Sequence, residues 1–451
     1  MKPTTNTNTN PHAQLVGYIQ QVALALNFKD GVKLGLCLTI SPGQNEGIRR
    51  ANYLEPSEFD LFLLPEVYRE VVRAHLRLMR CVYLKKDISK AFDALNDLVG
   101  HLIRAANTET NWINTALINA CTELITVYKV KQQTNPEEES IEFQDLEMDM
   151  PQLSSLEELA NTINKAFKLS LNDKNLDLKL SKRVDLYFFL GALIQVYFKL
   201  GKLELAKSVE KVIKNTRFQL PELNGILPSK KYAVSYLYYS ALLSLDDADF
   251  NNSEEKLMKA LDVLTYYKEN KTKQTEKILL ILLPLRLYNK RLTPKEVVWN
   301  EYPILRYIYK DSIFEAIRRG NLFNFEASIK KFEVLLLKKH LYLLVERLKG
   351  LCYLRLIHKT VLYFQSLHPD SKTNHIIDLS AFQIALECSS SDGTMKKGLG
   401  DRSFRYPIEE IECVLANFIS SSKIKGYISH SNRCIVLSKQ NAFPNEFTNS
   451  Y

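Results

Sequence analysis

Glycine and proline are scarce in this sequence: 15 of each in 451 residues, about half and about two-thirds of ordinary usage. So few chain breakers exclude a loop-rich or all-β fold and point to long helices. Long apolar runs are missing as well. A membrane helix needs roughly 18 to 20 apolar residues, and the strongest stretch, Ile278 to Leu287, is short and carries Pro284 and Arg286, so no membrane partner is expected. The seven cysteines, Cys37, Cys81, Cys121, Cys352, Cys388, Cys413 and Cys434, contain no C-x-x-C pair, which argues against a disulfide framework and a zinc site and for reduced, mostly buried thiols. The N-terminal MKPTTNTNTNPH has no apolar core of a signal peptide and reads as a polar tail over residues 1–11, so an intracellular protein is expected.

The signatures of catalysis are absent too. There is no G-x-S-x-G elbow and no H-E-x-x-H helix. Gly201-Lys202 lacks the flanking glycine and Ser/Thr of a phosphate loop and falls in a turn. His430 and Cys434 have an H-x-x-x-C spacing, but a structural zinc needs four ligands and no second pair accompanies them. No catalytic residue, metal ligand or cofactor is assigned, and binding is the default function.

What is present is the composition of a folded, soluble protein, 46% hydrophobic and 25% charged. The length exceeds what one core organises, so two domains or an elongated repeat array is expected. Apolar side chains recur at three- and four-residue spacing, which predicts an N-terminal helical region over 12–131 with helices at His12–Leu38, Phe59–Leu84, Ile88–Ala106 and Trp112–Lys131. Gln132 to Asn164 holds nine acidic residues and no basic one; an acidic loop is placed at 132–155, a solvated segment in the plain reading and a docking segment for a basic surface in the sharper one.

From 156 to 375 the chain reads as paired helices. Arg183–Tyr197 and Leu203–Ile213 flank the turn at Gly201-Lys202, and Tyr232–Leu245 and Ser253–Leu264 flank a turn at 246–250. Both resemble tetratricopeptide hairpins, with Ala206, Ala241 and Ala260 as the small residues. Such hairpins must stack on neighbours, which produces broad surfaces suited to partners. Further helices are expected at Thr275–Tyr288, Tyr302–Arg318, Phe323–Lys338 and Tyr342–Phe364. The pattern changes near 376: a helix at Asp378–Cys388, a polar loop at 389–405, a helix at Ile408–Ser420, then short β-like runs at Gly426–Ser429 and Cys434–Ser438. Helix, helix and hairpin over 376–444, before a tail at 445–451, is the outline of a winged helix.

The segment VLANFISSSKIKGYISHSNRCIVLSKQNAFP, residues 414–444, closely resembles the end of the PCI family, whose members build the proteasome lid, the signalosome and translation initiation factor three. The likeness is to the branch of the fungal twelfth-subunit-like signalosome protein and its relatives in the transcription-coupled mRNA export complex. That branch reads approximately I-L-A-N-L-I, K-G-Y-I-S-H and V-S-K-Q-N-P-F-P; Leu415, Ala416, Asn417, Lys425 to His430, Ser438 to Asn441, Phe443 and Pro444 fit, while Ala442 stands where the family has proline. A weaker likeness extends to LLILLPLRLY at 279–288 and EAIRRGNLFNFEASI at 315–329. The loop at 389–405 is longer than in relatives.

The resemblance implies an all-α fold, a TPR-like helical-repeat array capped by a C-terminal winged helix, acting as a non-enzymatic scaffold. It also implies pairing with another, larger PCI-domain protein and a small acidic disordered subunit, in transcription-coupled mRNA processing or export or, alternatively, in a signalosome that supports cullin deneddylation. Nucleus and cytoplasm are the expected compartments. In the family the winged helix packs on a like module through sheet edges, so the candidate partner interface is Tyr427, Ile428, Ser429, His430, Ile435 and Leu437.

The net charge of +9 is matched by a local excess from Arg286 to Lys359, where 16 Lys/Arg face 7 Asp/Glu. A basic face neutralises phosphates and releases counterions, so Arg318, Arg319, Lys330, Lys331, Lys338 and Lys339 are candidate RNA or DNA contacts, joined around the winged helix by Lys423, Lys425, Arg433 and Lys439. The plain reading of the same residues is a solvated helical face.

Overall fold

The computed structural model describes residues 11–134, 154–223, 225, 230–264, 271–367, 373–391 and 406–444. The tails, most of the acidic loop and most of the 389–405 loop lie outside them. The chain divides into two compact units, 1–243 and 244–451.

The first unit begins with α1 (Pro11–Asn27), α2 (Gly31–Leu38) and α3 (Gln44–Ala51), followed by α4 (Glu66–Arg80), α5 (Ile88–Ala105), α6 (Asn114–Thr134), α7 (Ser155–Leu171), α8 (Leu186–Lys199) and α9 (Leu203–Lys214). The single helix expected over His12–Leu38 is two. Lys29 takes a left-handed φ of 51°, and the Asp30 carboxylate caps α2 by accepting from the Val32 and Lys33 N–H groups, a local bond that competes with helix continuation. Similarly, Phe59–Leu84 opens with a 3₁₀ turn at Asp60–Leu63 and ends in a π-helical turn at Cys81–Lys85.

The heptad-like pattern otherwise does what it predicts. Val71, Val72, Leu76 and Met79 of α4 meet Phe92, Leu95, Val99 and Leu102 of α5 in a core where all are buried, each contributing roughly 1.5 to 3 kcal/mol by leaving water; Val67, at the start of α4, is exposed. Ser154 forms a capping box with Glu157 at the start of α7. The turn between α8 and α9 needs Gly201, whose φ is +68°, and Ala206 packs fully buried after it.

Two polar knots hold this unit. Lys182, buried between helix ends, donates Nζ to the carbonyls of Ala106 (3.0 Å) and Glu109 (2.6 Å), placing a cation on the C-terminal end of α5 where the helix dipole favours it. His75 of α4 is buried against α1 to α3: its Nδ1 lies 2.9 Å from Tyr18 Oη, and Arg50, stacked over the Tyr18 ring, donates to the Cys37 carbonyl at 2.8 Å.

The helix α10 (Lys230–Asp246) contains the division between units. The second unit comprises α11 (Phe250–Leu264), α12 (Lys271–Lys290), α13 (Glu296–Glu301), α14 (Pro303–Leu305), α15 (Glu315–Arg319), α16 (Leu322–Lys338), α17 (Tyr342–Leu367), β1 (Ile376–Asp378), α18 (Leu379–Ser390), α19 (Ile408–Ser420), β2 (Gly426–Ser429) and β3 (Cys434–Leu437). The helix expected over Tyr302–Arg318 is interrupted by a π-helical stretch at Arg306–Phe314. The expected hairpin is part of a three-stranded antiparallel sheet ordered β1-β3-β2, because the chain entering α18 adds a strand paired Ile376 to Val436 and Ile377 to Ile435. Among the described residues the fold is thus helical apart from this small sheet near the C-terminal end, in agreement with the expected helical array capped by a winged helix.

No described helix is long and apolar enough to cross a membrane. All seven cysteines are free: Cys37, Cys81, Cys121 and Cys352 are buried, Cys434 is half-buried, and Cys388 and Cys413 are exposed.

Burial, aided by the Arg50 charge, pushes His75 down from 6.5 to about 3. The unfolded chain therefore takes up a proton that the folded chain refuses. The contribution of neutral His75 is complete above pH 6.5 and is lost as the pH falls from there towards 3. Thermal unfolding followed at about pH 7.5 and about pH 5 is expected to give a lower midpoint in acid, with net proton uptake on unfolding; equal midpoints would show that His75 is not held neutral.

Candidate partner and nucleic-acid interface

The C-terminal module is built on an apolar centre of Ile377, Phe382, Leu386, Ile411, Leu415, Ile424, Ile435 and Leu437, all buried. Alternation along β3 sends Ile435 and Leu437 inward and leaves Cys434 and Val436 half-buried. This corrects the candidate partner interface: Ile435 and Leu437 belong to the core, and β3 is the central strand, with neighbours on both sides. The sequence places these two residues on a strand but not that strand in the sheet, since the third strand is too short to show alternation.

β1 and β2 are the two edge strands of this sheet, and β2 is the one that carries the candidate residues. Tyr427 is 63% exposed there, Ile428 and Ser429 are half-buried and His430 is exposed. His430 Nδ1 meets the Glu412 carboxylate of α19 at 2.9 Å, which ties the turn between the strands to the helix beneath it. Gly426 fits only because it has no side chain: a Cβ there would stand 2.5 Å from the Val436 carbonyl oxygen.

The terminal motif also reads as structure. The Lys425 N–H donates to the Ala442 carbonyl (2.8 Å) and the Ser438 N–H to the Lys425 carbonyl (2.9 Å). Asn441 takes a left-handed φ of 47°, a conformation asparagine tolerates better than most residues. Phe443 is buried against the His358 ring of α17, with centroids 4.7 Å apart. Since it is the Ala442 carbonyl that closes this loop, the missing proline costs the loop no hydrogen bond.

The module is anchored to the helices before it by Ser389. Its Oγ donates to the Gly320 carbonyl (2.7 Å) and accepts from the Leu322 N–H (2.9 Å). Gly320 has a φ of +68° and its α-carbon lies so near Leu356 that a Cβ would approach to 3.0 Å, so glycine is required on both counts.

The structure sorts the ten basic candidates into three groups. Arg318 and Arg319 end α15, where α17 delivers two more cations: Arg355 Nε donates to the Arg318 carbonyl (3.4 Å) and Lys359 Nζ to the Arg319 carbonyl (3.0 Å). Glu315 answers them, accepting from Arg318 Nε and Nη2 at 2.7 Å and from Arg319 at 2.6 Å. The hydrogen bond from Arg318, then that from Arg319, outweigh desolvation and hold its carboxyl at about 2. Burial and then the nearby Arg355, Arg318 and Arg319 charges lower the Lys359 ammonium, as expected where cations crowd.

In the second group Lys330, Lys331 and Lys338 are exposed on α16 and Lys339 is half-buried at its end; Lys331 Nζ sits 4.4 Å above the Tyr307 ring. In the third group Lys425, Arg433 and Lys439 are exposed around the hairpin, and Lys423 lies over Phe418 at 5.7 Å, lowered by burial and then by Arg291. Part of the basic excess is met by exposed ion pairs within the chain: Lys310 pairs with Glu296 at 2.6 Å and Lys349 with Glu326 at 2.7 Å. Among the described residues no group of three or more His, Cys, Asp or Glu forms a site for a metal ion.

Comparison with known proteins matches the family described as PCI domain to residues 329–439, from the middle of α16 through the sheet. Over 434 residues the chain is 57% identical to a protein of Debaryomyces hansenii named Protein CSN12 homolog, covering 95% of this chain and 98% of that relative. The chain belongs to the PCI family. Within it, a Protein CSN12 homolog of Yarrowia lipolytica is 27% identical over 427 residues, covering 95% of this chain and 98% of its own length. The Cop9 signalosome complex subunit 12 of Saccharomyces cerevisiae is 26% identical over 401 residues, covering 81% and 86%. The match to the PCI domain takes in Tyr427 to His430 and eight of the ten basic candidates, all but Arg318 and Arg319.

The close approach at Gly426 yields a test. Gly426→Ala is expected to force β2 away from β3 and weaken the PCI module by about 1 to 3 kcal/mol, as overpacking does. In hydrogen exchange the amides of 426–437 should then exchange about tenfold to a hundredfold faster, while those of α4 and α5 keep their rates; unchanged exchange in the hairpin would refute the contact.

Proposed function

We propose that this PCI protein is a non-enzymatic subunit of a signalosome-type assembly, joined to a second, larger PCI protein through the open β2 edge of its winged helix and accompanied by a small acidic subunit. The observation that carries this is the β2 edge itself: a four-residue strand with one unpaired side and an exposed Tyr427, on a module braced from behind by Ser389 and Phe443. Unpaired strand edges accept a further strand or a like edge by backbone hydrogen bonding. The name of the Saccharomyces cerevisiae relative, a Cop9 signalosome complex subunit, supports the class of assembly. The reading places the protein in the nucleus and cytoplasm. Affinity purification of the tagged chain is expected to bring down a second PCI protein with signalosome subunits, and Tyr427→Asp to reduce that recovery about tenfold without unfolding the chain. Equal recovery from wild type and Tyr427→Asp would exclude the β2 edge.

A second reading, a subunit in transcription-coupled mRNA processing or export that touches RNA or DNA, draws on the cluster of Arg318, Arg319, Arg355 and Lys359. Arg355 and Lys359 converge on the carbonyls of Arg318 and Arg319, which themselves pair with Glu315, and phosphate contacts made by such a group of cations weaken steeply with salt. Titration of a single-stranded RNA at two salt concentrations is expected to show tighter binding at low salt and a several-fold loss in an Arg319→Gln/Lys359→Gln variant. Absence of binding at low salt, or identical affinity of the variant, would end this reading.

A further inference from the structure

Helix α16 has apolar residues on two faces, and only one is used. Leu322, Phe325 and Leu336 are buried against the rest of the unit. On the opposite face Phe323, Ala327, Lys330, Val334 and Leu337 follow one another at alternating steps of four and three, the spacing of a coiled-coil seam. All five are exposed, Phe323 at 37%, Val334 at 66% and Leu337 at 54%. On the flanks of this stripe, seven residues apart, stand Lys331 and Lys338 on one side and Glu326 and Glu333 on the other. Glu326 is already paired with Lys349 of α17, so the lysine flank dominates.

We infer that the outer face of α16 is a docking site for an amphipathic helix of another polypeptide, one that is aliphatic at heptad spacing, carries a carboxylate at the seam position facing Lys330 and presents glutamates to Lys331 and Lys338. The seam decides between occupants. In a parallel pair of two copies of this chain, Lys330 would face Lys330 in the middle of the seam. An antiparallel pair would set lysine flank against lysine flank. A different helix with an acid at that point turns the one unfavourable layer into an ion pair, the device by which a polar seam residue fixes register and partner. Nucleic acid fits less well, because bases stack on aromatic or guanidinium planes and the centre of the stripe is aliphatic. The site is separate from the β2 edge, and its failure would leave the winged-helix pairing untouched.

The test uses the full chain and three designed, fluorescently labelled helical peptides of about three heptads: leucine at the seam with glutamate at the central seam position and on the flank, the same peptide with lysine in place of glutamate, and the glutamate peptide with serine at the apolar positions. Anisotropy is expected to show the glutamate peptide binding at least tenfold more tightly than either control. Val334→Asp/Leu337→Asp, at exposed positions, should lower its affinity tenfold or more, and a Lys330→Glu/Lys331→Glu/Lys338→Glu variant should transfer the preference to the lysine peptide. The inference is overturned if the three peptides bind alike, if charge reversal leaves the preference in place, if sedimentation shows that wild type dimerises through Val334, or if a single-stranded RNA binds this face with an affinity that Val334→Asp does not change.

Discussion

A buried serine hydroxyl sets the geometry on which the functional face of the C-terminal unit depends. Ser389, in the first helix of the winged-helix module, satisfies both an orphan carbonyl at Gly320 and an orphan amide at Leu322. These belong to the turn between α15 and α16, where the backbone runs left-handed and Leu356 leaves no space for a side chain. Buried backbone groups left unpaired are costly, so the hydroxyl fixes the module's orientation against α16 and α17. From that orientation follow the seating of Phe443 on His358 and the exposure of the β2 edge. The N-terminal unit solves the same problem with a cation, Lys182 closing the end of α5.

The charge of the protein is less free than its total suggests. Glu315 ties Arg318 and Arg319, Glu296 ties Lys310 and Glu326 ties Lys349. Lys331 spends its charge partly on the face of Tyr307. Among named cations the structure distinguishes a crowded group at the end of α15, where cation meets cation, from lysines that border an aliphatic stripe. Those two surroundings favour different partners, although the sequence presents them as one basic run.

How much of this was legible beforehand varies with length scale. Helices long enough to repeat an apolar pattern, such as α5, α16 and α17, are visible in the spacing of their side chains, and the turns at Gly201 and Gly320 are visible in their glycines. The winged helix is visible in its terminal motif, whose Asn441 and Phe443 prove to be folding residues. Features set by one or two backbone bonds are not. The break at Lys29-Asp30 rests on a capping carboxylate, the π-helical stretch at Arg306–Phe314 on a shift of hydrogen-bond partner, and β1 on three residues that carry no alternation. For the site, Tyr427 lies at an open edge as its position on β2 allows, but the inward turn of Ile435 and Leu437 depends on which strand is central, a tertiary fact.

Alternation along β3 has a bearing on how this part of the chain can evolve. Ile435 and Leu437 point into the core only while the segment His430–Arg433 keeps its four residues between β2 and β3. Dropping or adding one would slide the register and turn both side chains out to solvent, exchanging them for Cys434 and Val436. Substitution there is nearly unconstrained, apart from His430 and the left-handed Arg433, while deletion and insertion are not. Among orthologues this tip should therefore drift in composition and hold its length.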